Sequence, residues 1–374
     1  MTMWRRILPA LALAAAILAA GCPGSLPGLG EPRGEVVPPA IVPVEGAAPI
    51  EAPAYTFPFG GGEETIRIES DPAVYAGAKA ADRQLYLYED LAREEWIPIY
   101  YLAFVNDSYQ EPFYTDLLAA LREIRDREEL DDDRYLELIA AFVQSIPYET
   151  DASMIEPKFP IVTYVDAAGD CDDKSLLLAG LLAREGYGAA LFYFEEEKHM
   201  AVGARSAGCC YRNTSYAYIE TTNRSYVGIP PAALADGTNL SSDPLVIPVG
   251  DGPGIYGACG EVETIERALT ASRDRVGELE EELAALTREL EDDREALAAL
   301  DAKMAGLLQS GKTREYNRLV LEYNRMAGDY NSAIDAHNAM LGEAKAAVDL
   351  HNHLAGNAHD RPGSYLLARE YLME

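Results

Sequence analysis

The chain has 374 residues, long enough for two or three domains, and its 48% hydrophobic and 25% charged content is that of a folded protein. Against 31 Lys and Arg stand 62 Asp and Glu, a net charge of -31. That excludes nucleic acid as a partner, because neutralising phosphates requires a basic face, and it disfavours anionic membrane surfaces. The five cysteines, Cys22, Cys171, Cys209, Cys210 and Cys259, are too scattered for a disulfide miniprotein or a paired zinc framework.

Arg5 and Arg6 precede an apolar run that ends at Gly21-Cys22. The run is shorter than the ~20 residues of a spanning helix and leads into Pro23, Gly24 and Pro27, so residues 1–22 read as a signal peptide. Ala19, Ala20 and Gly21 before Cys22 resemble a lipobox, with Leu18 four residues before the cysteine where three is usual. Lipid on Cys22 would anchor the chain outside the cell membrane; the alternative is an ordinary secreted chain or an uncleaved anchor. Residues 23–59, rich in Pro and Gly and without periodicity, are expected to form an extended spacer.

Alternation over residues 65–69 predicts a short strand, and helical signals run over 74–93, 113–127 and 132–146. The last of these carries Tyr135, Leu138, Ile139, Phe142, Val143 and Ile146 on one face. Gly169-Asp170-Cys171-Asp172-Asp173-Lys174-Ser175 then opens an apolar helix closed by Gly186. A cysteine in a first helical turn faces unpaired backbone N–H groups and the positive end of the helix dipole, which favour thiolate over thiol. Strands are predicted over 189–194, 199–204 and 216–222, the second opening on His199 and the third carrying Glu220. Period-two alternation puts His199 on a face with Ala201 and Gly203, small residues expected to leave room beside the imidazole and to let it sit over the helix N-terminus.

Cysteine, histidine and carboxylate in this order suit nucleophilic catalysis: the imidazole takes the thiol proton, and the carboxylate orients the imidazole. Together with Phe142-Val143-Gln144-Ser145-Ile146-Pro147-Tyr148, His199-Met200-Ala201-Val202 and Tyr218-Ile219-Glu220-Thr221-Thr222, the Gly-Asp-Cys box resembles the transglutaminase-like superfamily, in particular its prokaryotic, largely archaeal surface-protein branch. The resemblance covers about residues 130–230. It implies a papain-like α+β domain, with Cys171 as nucleophile, His199 as base and Glu220 where the family has aspartate. It also implies amide or isopeptide cleavage or transfer through a thioester on Cys171, without a cofactor or metal, on a protein or peptide substrate such as one of the cell envelope. Water and amine both remain open as the acceptor.

Other residues of the box have plainer roles. Asp170 is the expected N-cap, and Asp173 and Lys174 are expected to supply first-turn charge and a local ion pair. Gln144 suits packing better than oxyanion donation, for which the Cys171 N–H is the better candidate. In an extracytoplasmic chain, Cys209 or Cys210 bonding to Cys259 would pin the loop after the His199 strand.

Beyond Cys259 a coiled-coil seam runs 265, 269, 272, 276 and onward by threes and fours to 307, broken in apolar character only by Ser272 and Asp293. Ser310-Gly311-Lys312 interrupts it. A second helix repeats Tyr316, Tyr323, Tyr330 and His337 by sevens, each followed by Asn, with His351 in phase. Val320, Ala327, Ile334, Leu341 and Val348 are expected to complete its seam, with the asparagines fixing register between helices. The predicted organisation is a signal peptide (1–22), a spacer (23–59), an α+β catalytic domain (60–260), a helical hairpin folded back within one chain (261–356), and a tail with a short helix (357–374). The competing reading is a non-catalytic surface scaffold that recruits a partner through its coiled coil.

Overall fold

The computed structural model describes residues 36–88, 90–150, 156–234 and 237–373. The signal peptide and Cys22 therefore lie outside the described residues. Among the described residues, no helix is long and apolar enough to cross a membrane. The fold is α+β with long C-terminal helices.

The chain opens with β1 (Val36–Val37) and the hairpin of β2 (Tyr55–Phe59) and β3 (Gly62–Ile66). The expectation of a spacer up to residue 59 fails over this stretch: Ile41, Tyr55, Phe57 and Phe59 are buried, and Tyr55 packs edge-on against Phe142 at 5.4 Å. Proline and glycine mask four apolar side chains that the core takes up. The helix expected over 74–93 is shorter: α1 (Pro72–Ala80) stops at Ala81, and β4 (Tyr86–Leu87) pairs with β1 before α2 (Arg93–Val105) begins. Then follow α3 (Glu111–Arg127), α4 (Asp132–Ser145) and α5 (Pro160–Val165).

Next, α6 (Cys171–Arg184) is apolar all round: Leu176, Leu177, Leu178, Leu181 and Leu182 are fully buried. Such a helix must be covered on every side. One side meets a four-stranded antiparallel sheet of β5 (Gly188–Phe194), β6 (His199–Arg205), β7 (Tyr216–Ile219) and β8 (Leu245–Asp251), in the order β7-β6-β5-β8. The others meet α2, α4 and α5. Each buried leucine contributes about 2 kcal/mol. The opposite sheet face carries Phe192, Phe194, Ala201, Tyr211 and Tyr218.

The strongly joined remainder is α7 (Cys259–Gln309), α8 (Thr313–Gly356) and α9 (Arg361–Tyr371). Helices α7 and α8 lie antiparallel, with Ser272 Oγ 3.1 Å from His351 Nδ1 and Thr287 Oγ1 3.2 Å from His337 Nε2. Gly311, at φ 71°, supplies the left-handed residue of the reversal. From Val276 to Leu307 the predicted seam of α7 is the face turned inward.

In α8 the Tyr and His stripe is also inward. Of the predicted companion seam, Val320, Ala327 and Ile334 are half-buried, alongside the row one residue earlier (Leu319, Met326, Ala333, Met340, Ala347 and Leu354), whereas Leu341 and Val348 are 47% and 38% exposed and give way to Met340 and Ala347. Apolar residues occupy both positions in each heptad, so hydrophobicity alone cannot separate them; contact with α7 does. The paired asparagines Asn317, Asn324, Asn331, Asn338 and Asn352 are all exposed and do not face the partner helix.

At the base, Arg361 Nε donates to Glu137 Oε1 at 2.5 Å, and Tyr226 Oη donates to the Leu354 carbonyl at 2.6 Å. A disulfide joins Cys209 to Cys259, resolving the open choice in favour of Cys209 and leaving Cys210 free. The register set by Ser272 and Thr287 places Met304 opposite Leu319, both 7% exposed, near the turn. Met304→Cys combined with Leu319→Cys should therefore crosslink within one chain at high dilution. A product made only of dimers, with a yield falling on dilution, would reject this pairing.

Candidate active site

The segments singled out in the sequence meet at the head of α6. Asp170 caps the helix as expected, accepting from the Asp173 N–H while Asp173 accepts from the Asp170 N–H, both at 3.3 Å. Gly169, just before, pairs with Pro147 and Glu149 on either side of Tyr148. One turn into the helix, Ser175 Oγ donates to the Met200 carbonyl at 3.2 Å and lies 3.1 Å from Thr221 Oγ1. These bonds tie the turn bearing Cys171 to the strand of His199 and the strand end of Glu220.

His199 begins β6 and is buried at 5% exposure. Its Nε2 lies 3.3 Å from Glu220 Oε2 and 3.2 Å from Tyr218 Oη. The space expected beside it is filled. At Gly203 a Cβ would sit 2.7 Å from Phe192 Cζ, so the small residues admit an aromatic wall rather than leaving a cleft. The His199 face is also the one turned away from the body of α6: Met200 and Val202 belong to the cluster that packs the helix, whereas Ala201 and Phe194, which share the His199 face, belong to the opposite one.

Glu220 lies just past β7, where its carboxylate curls back on its own backbone. Oε1 accepts from the N–H groups of Thr221 at 3.0 Å and Thr222 at 2.9 Å, and from Thr222 Oγ1 at 2.7 Å. Oε2 accepts from Tyr218 Oη at 2.8 Å. The extra methylene relative to aspartate is thus taken up by a turn that satisfies the whole carboxylate. Burial acts to raise its pKa, but His199 and the Thr222 donors outweigh burial and hold Glu220 down to about 2.

The thiol is the reverse. Burial pushes Cys171 well above the ordinary thiol range, and Asp172 and Asp170 push the same way, while the Met200 N–H opposes them. The thiolate favoured by the helix dipole is therefore disfavoured in the resting fold, because the dipole acts against desolvation and two carboxylates. Asp172 itself is raised well above the usual carboxylate range, first by burial and then by its hydrogen bond to Asp170. Asp170, Asp172 and Asp173 each bring a carboxylate oxygen within 4.8 Å of the others.

Lys174 and Asp173 do not form the expected local pair. Lys174 is fully buried and donates to the carbonyls of Ile146 at 2.7 Å and Gln144 at 3.3 Å; burial lowers it to about 8 against the pull of Glu220. Asp173 instead pairs with Lys158 at 3.4 Å. The Gln144 amide donates to the carbonyls of Glu220 at 2.8 Å and Ser225 at 3.0 Å, a packing role that occupies its donors. Sequence reasoning missed Tyr218, Ser175 and Thr221; period-two spacing of Tyr218 and Glu220 was the available signal.

Comparison with family models, curated proteins and solved structures gives no match to this chain.

The depressed Glu220 pKa sets an acid limit. Its contribution to stability is complete above the ordinary glutamate value of 4.5 and is lost as pH falls through about 2. Glu220→Gln should remove about 3 kcal/mol of the pH-dependent change in unfolding free energy over that window. Denaturant melts with equal slopes against pH in both proteins would contradict the assignment.

Proposed function

We propose that the chain is a transglutaminase-like thiol acyl enzyme with a papain-like catalytic domain, held outside the cell membrane by lipid on Cys22. It cleaves or transfers an amide or isopeptide bond of a protein or peptide substrate. The observation that carries this reading is the hydrogen-bonded run from His199 Nε2 through Tyr218 Oη, at 3.2 Å, to Glu220 Oε2, at 2.8 Å, on the strand whose Met200 N–H meets the Cys171 sulfur.

With Nε2 turned to Glu220 and Tyr218, Nδ1 is the histidine atom left to take a proton. On attack, the Cys171 proton passes to His199 as sulfur bonds to the substrate carbonyl carbon. The carbonyl oxygen gains the negative charge, which the Cys171 N–H, free at the first helical position, is placed to accept. Collapse breaks the carbon–nitrogen bond, His199 returns the proton to the leaving amine, and a thioester remains on Cys171. Water or a second amine then bonds to the thioester carbon and gives its proton to His199; the carbon–sulfur bond breaks, the acyl group leaves on the acceptor, and His199 returns the proton to the Cys171 sulfur. Because burial and the neighbouring aspartates keep the resting thiol protonated, proton transfer accompanies attack rather than preceding it.

A full-length sample mixed with p-nitrophenyl acetate tests this directly. One equivalent of p-nitrophenolate should appear in a burst, with acetyl on Cys171 by mass spectrometry. Cys171→Ala should abolish the burst, and His199→Ala should slow it by a factor on the order of 100 to 10,000. Glu220→Ala should fall between the wild type and His199→Ala, since the base keeps its reach but loses orientation. An undiminished burst from Cys171→Ala would end the proposal.

A further inference from the structure

The Tyr218 hydroxyl touches both the base and its acid. It is fully buried, its ring packs 5.2 Å from Tyr211 and 6.2 Å from Phe192, and its hydroxyl lies 2.8 Å from Glu220 Oε2 and 3.2 Å from His199 Nε2. A buried hydroxyl placed this way has a single consistent hydrogen-bond pattern. The ionised Glu220 can only accept, so the phenol proton points at Oε2 and a lone pair of Oη points at Nε2–H. The direct His199–Glu220 separation of 3.3 Å is long for a charge-assisted bond, which is usually about 2.7–2.9 Å. Tyr218 bridges that gap with a contact of ordinary length on its carboxylate side.

Building on the thiol-enzyme reading above, we infer that Tyr218 is a positioning residue that completes the acid side of the site: it fixes the Nε2–H tautomer of His199 and stabilises the imidazolium formed on attack. The surrounding sequence supports this use. Gly203 lies opposite Tyr218 in the β6–β7 register, and a side chain there would meet Phe192 and the Tyr216 Cβ, so the wall that seats the phenol ring depends on that glycine. Burial comes first among the influences that hold the phenol protonated far above the ordinary tyrosine range, with the Glu220 charge next, so the hydroxyl stays a donor across the working pH range.

The role predicts a signature that packing alone does not produce. Removing the hydroxyl takes an acceptor from Nε2–H, so the imidazolium becomes harder to form and the base weaker. Tyr218→Phe keeps the ring. In the burst assay with p-nitrophenyl acetate, it should lower the plateau about tenfold and move the acid limb of the pH profile down by roughly half to one unit. Tyr211→Phe, in the same aromatic cluster, should do neither. A lowered plateau with an unmoved limb, or no change at all, would overturn the positioning role. Nitrogen NMR of histidine-labelled wild type gives a second check that needs no variant: neutral His199 must carry its proton on Nε2, and an Nδ1–H tautomer overturns the role. A wild type without any burst would overturn the reading of the site and this role with it, whereas a wild-type burst beside an unmoved limb in Tyr218→Phe rejects Tyr218 alone.

Discussion

Helix α6 could slide along the sheet if leucines were all that held it, since apolar contact is weakly directional. Ser175 prevents this. Its buried hydroxyl reaches the Met200 carbonyl and Thr221 Oγ1, polar groups on two different strand segments, and a buried hydroxyl left without partners costs about 1–3 kcal/mol. The helix is therefore locked in one register relative to β6 and the end of β7. Cys171, one turn before Ser175, inherits that position, as do His199, next to Met200, and Glu220, next to Thr221. Three residues distant in sequence are placed by one short set of hydrogen bonds one step removed from each of them.

Two carboxylates on the same small site titrate in opposite directions, and the cause is local. Glu220 has four hydrogen-bond donors on its two oxygens, with His199 Nε2 3.3 Å away, and stays ionised despite burial. Asp172 shares its surroundings with two other aspartates, and burial together with the Asp170 contact favours its protonated form. The carboxylate beside His199 is the one the fold equips with donors. Burial first, and the neighbouring aspartates second, hold the Cys171 thiol in its neutral form.

Much of the α+β domain was legible in the sequence because its signals are local. The cap at Asp170, the α4 face and strands β5 and β6 all follow from spacing within a few residues. Elsewhere the deciding information is tertiary. Met340 and Leu341 are both apolar, so only the facing helix selects the first of them. Tyr55, Phe57 and Phe59 are hidden among prolines and glycines until the core they join exists. The thiol shift was misjudged for a related reason: a helix terminus can be read from sequence, whereas the depth at which a cysteine is buried cannot. Lys174 is the plainest case, a lysine that reads as surface charge and is fully buried beneath the C-terminal carbonyls of α4.

Helix α7 has 51 residues, about 75 Å of rod at a helical rise of about 1.5 Å per residue. Among the described residues, the bonds that fasten the three helices to the domain gather near one end of this rod: the Cys209–Cys259 disulfide, the Arg361–Glu137 pair, and the Tyr226 hydroxyl on Leu354 and Ser364. Mechanically this is a cantilever. A tilt of about 5° at the clamp sweeps the far turn through about 6 Å, while the clamp itself moves by a small fraction of that. Conversely, a sideways force at the turn acts on the base with the full length of the rod as its lever arm. A covalent bond and a buried ion pair, set a few residues apart at the pivot, are what such loading requires.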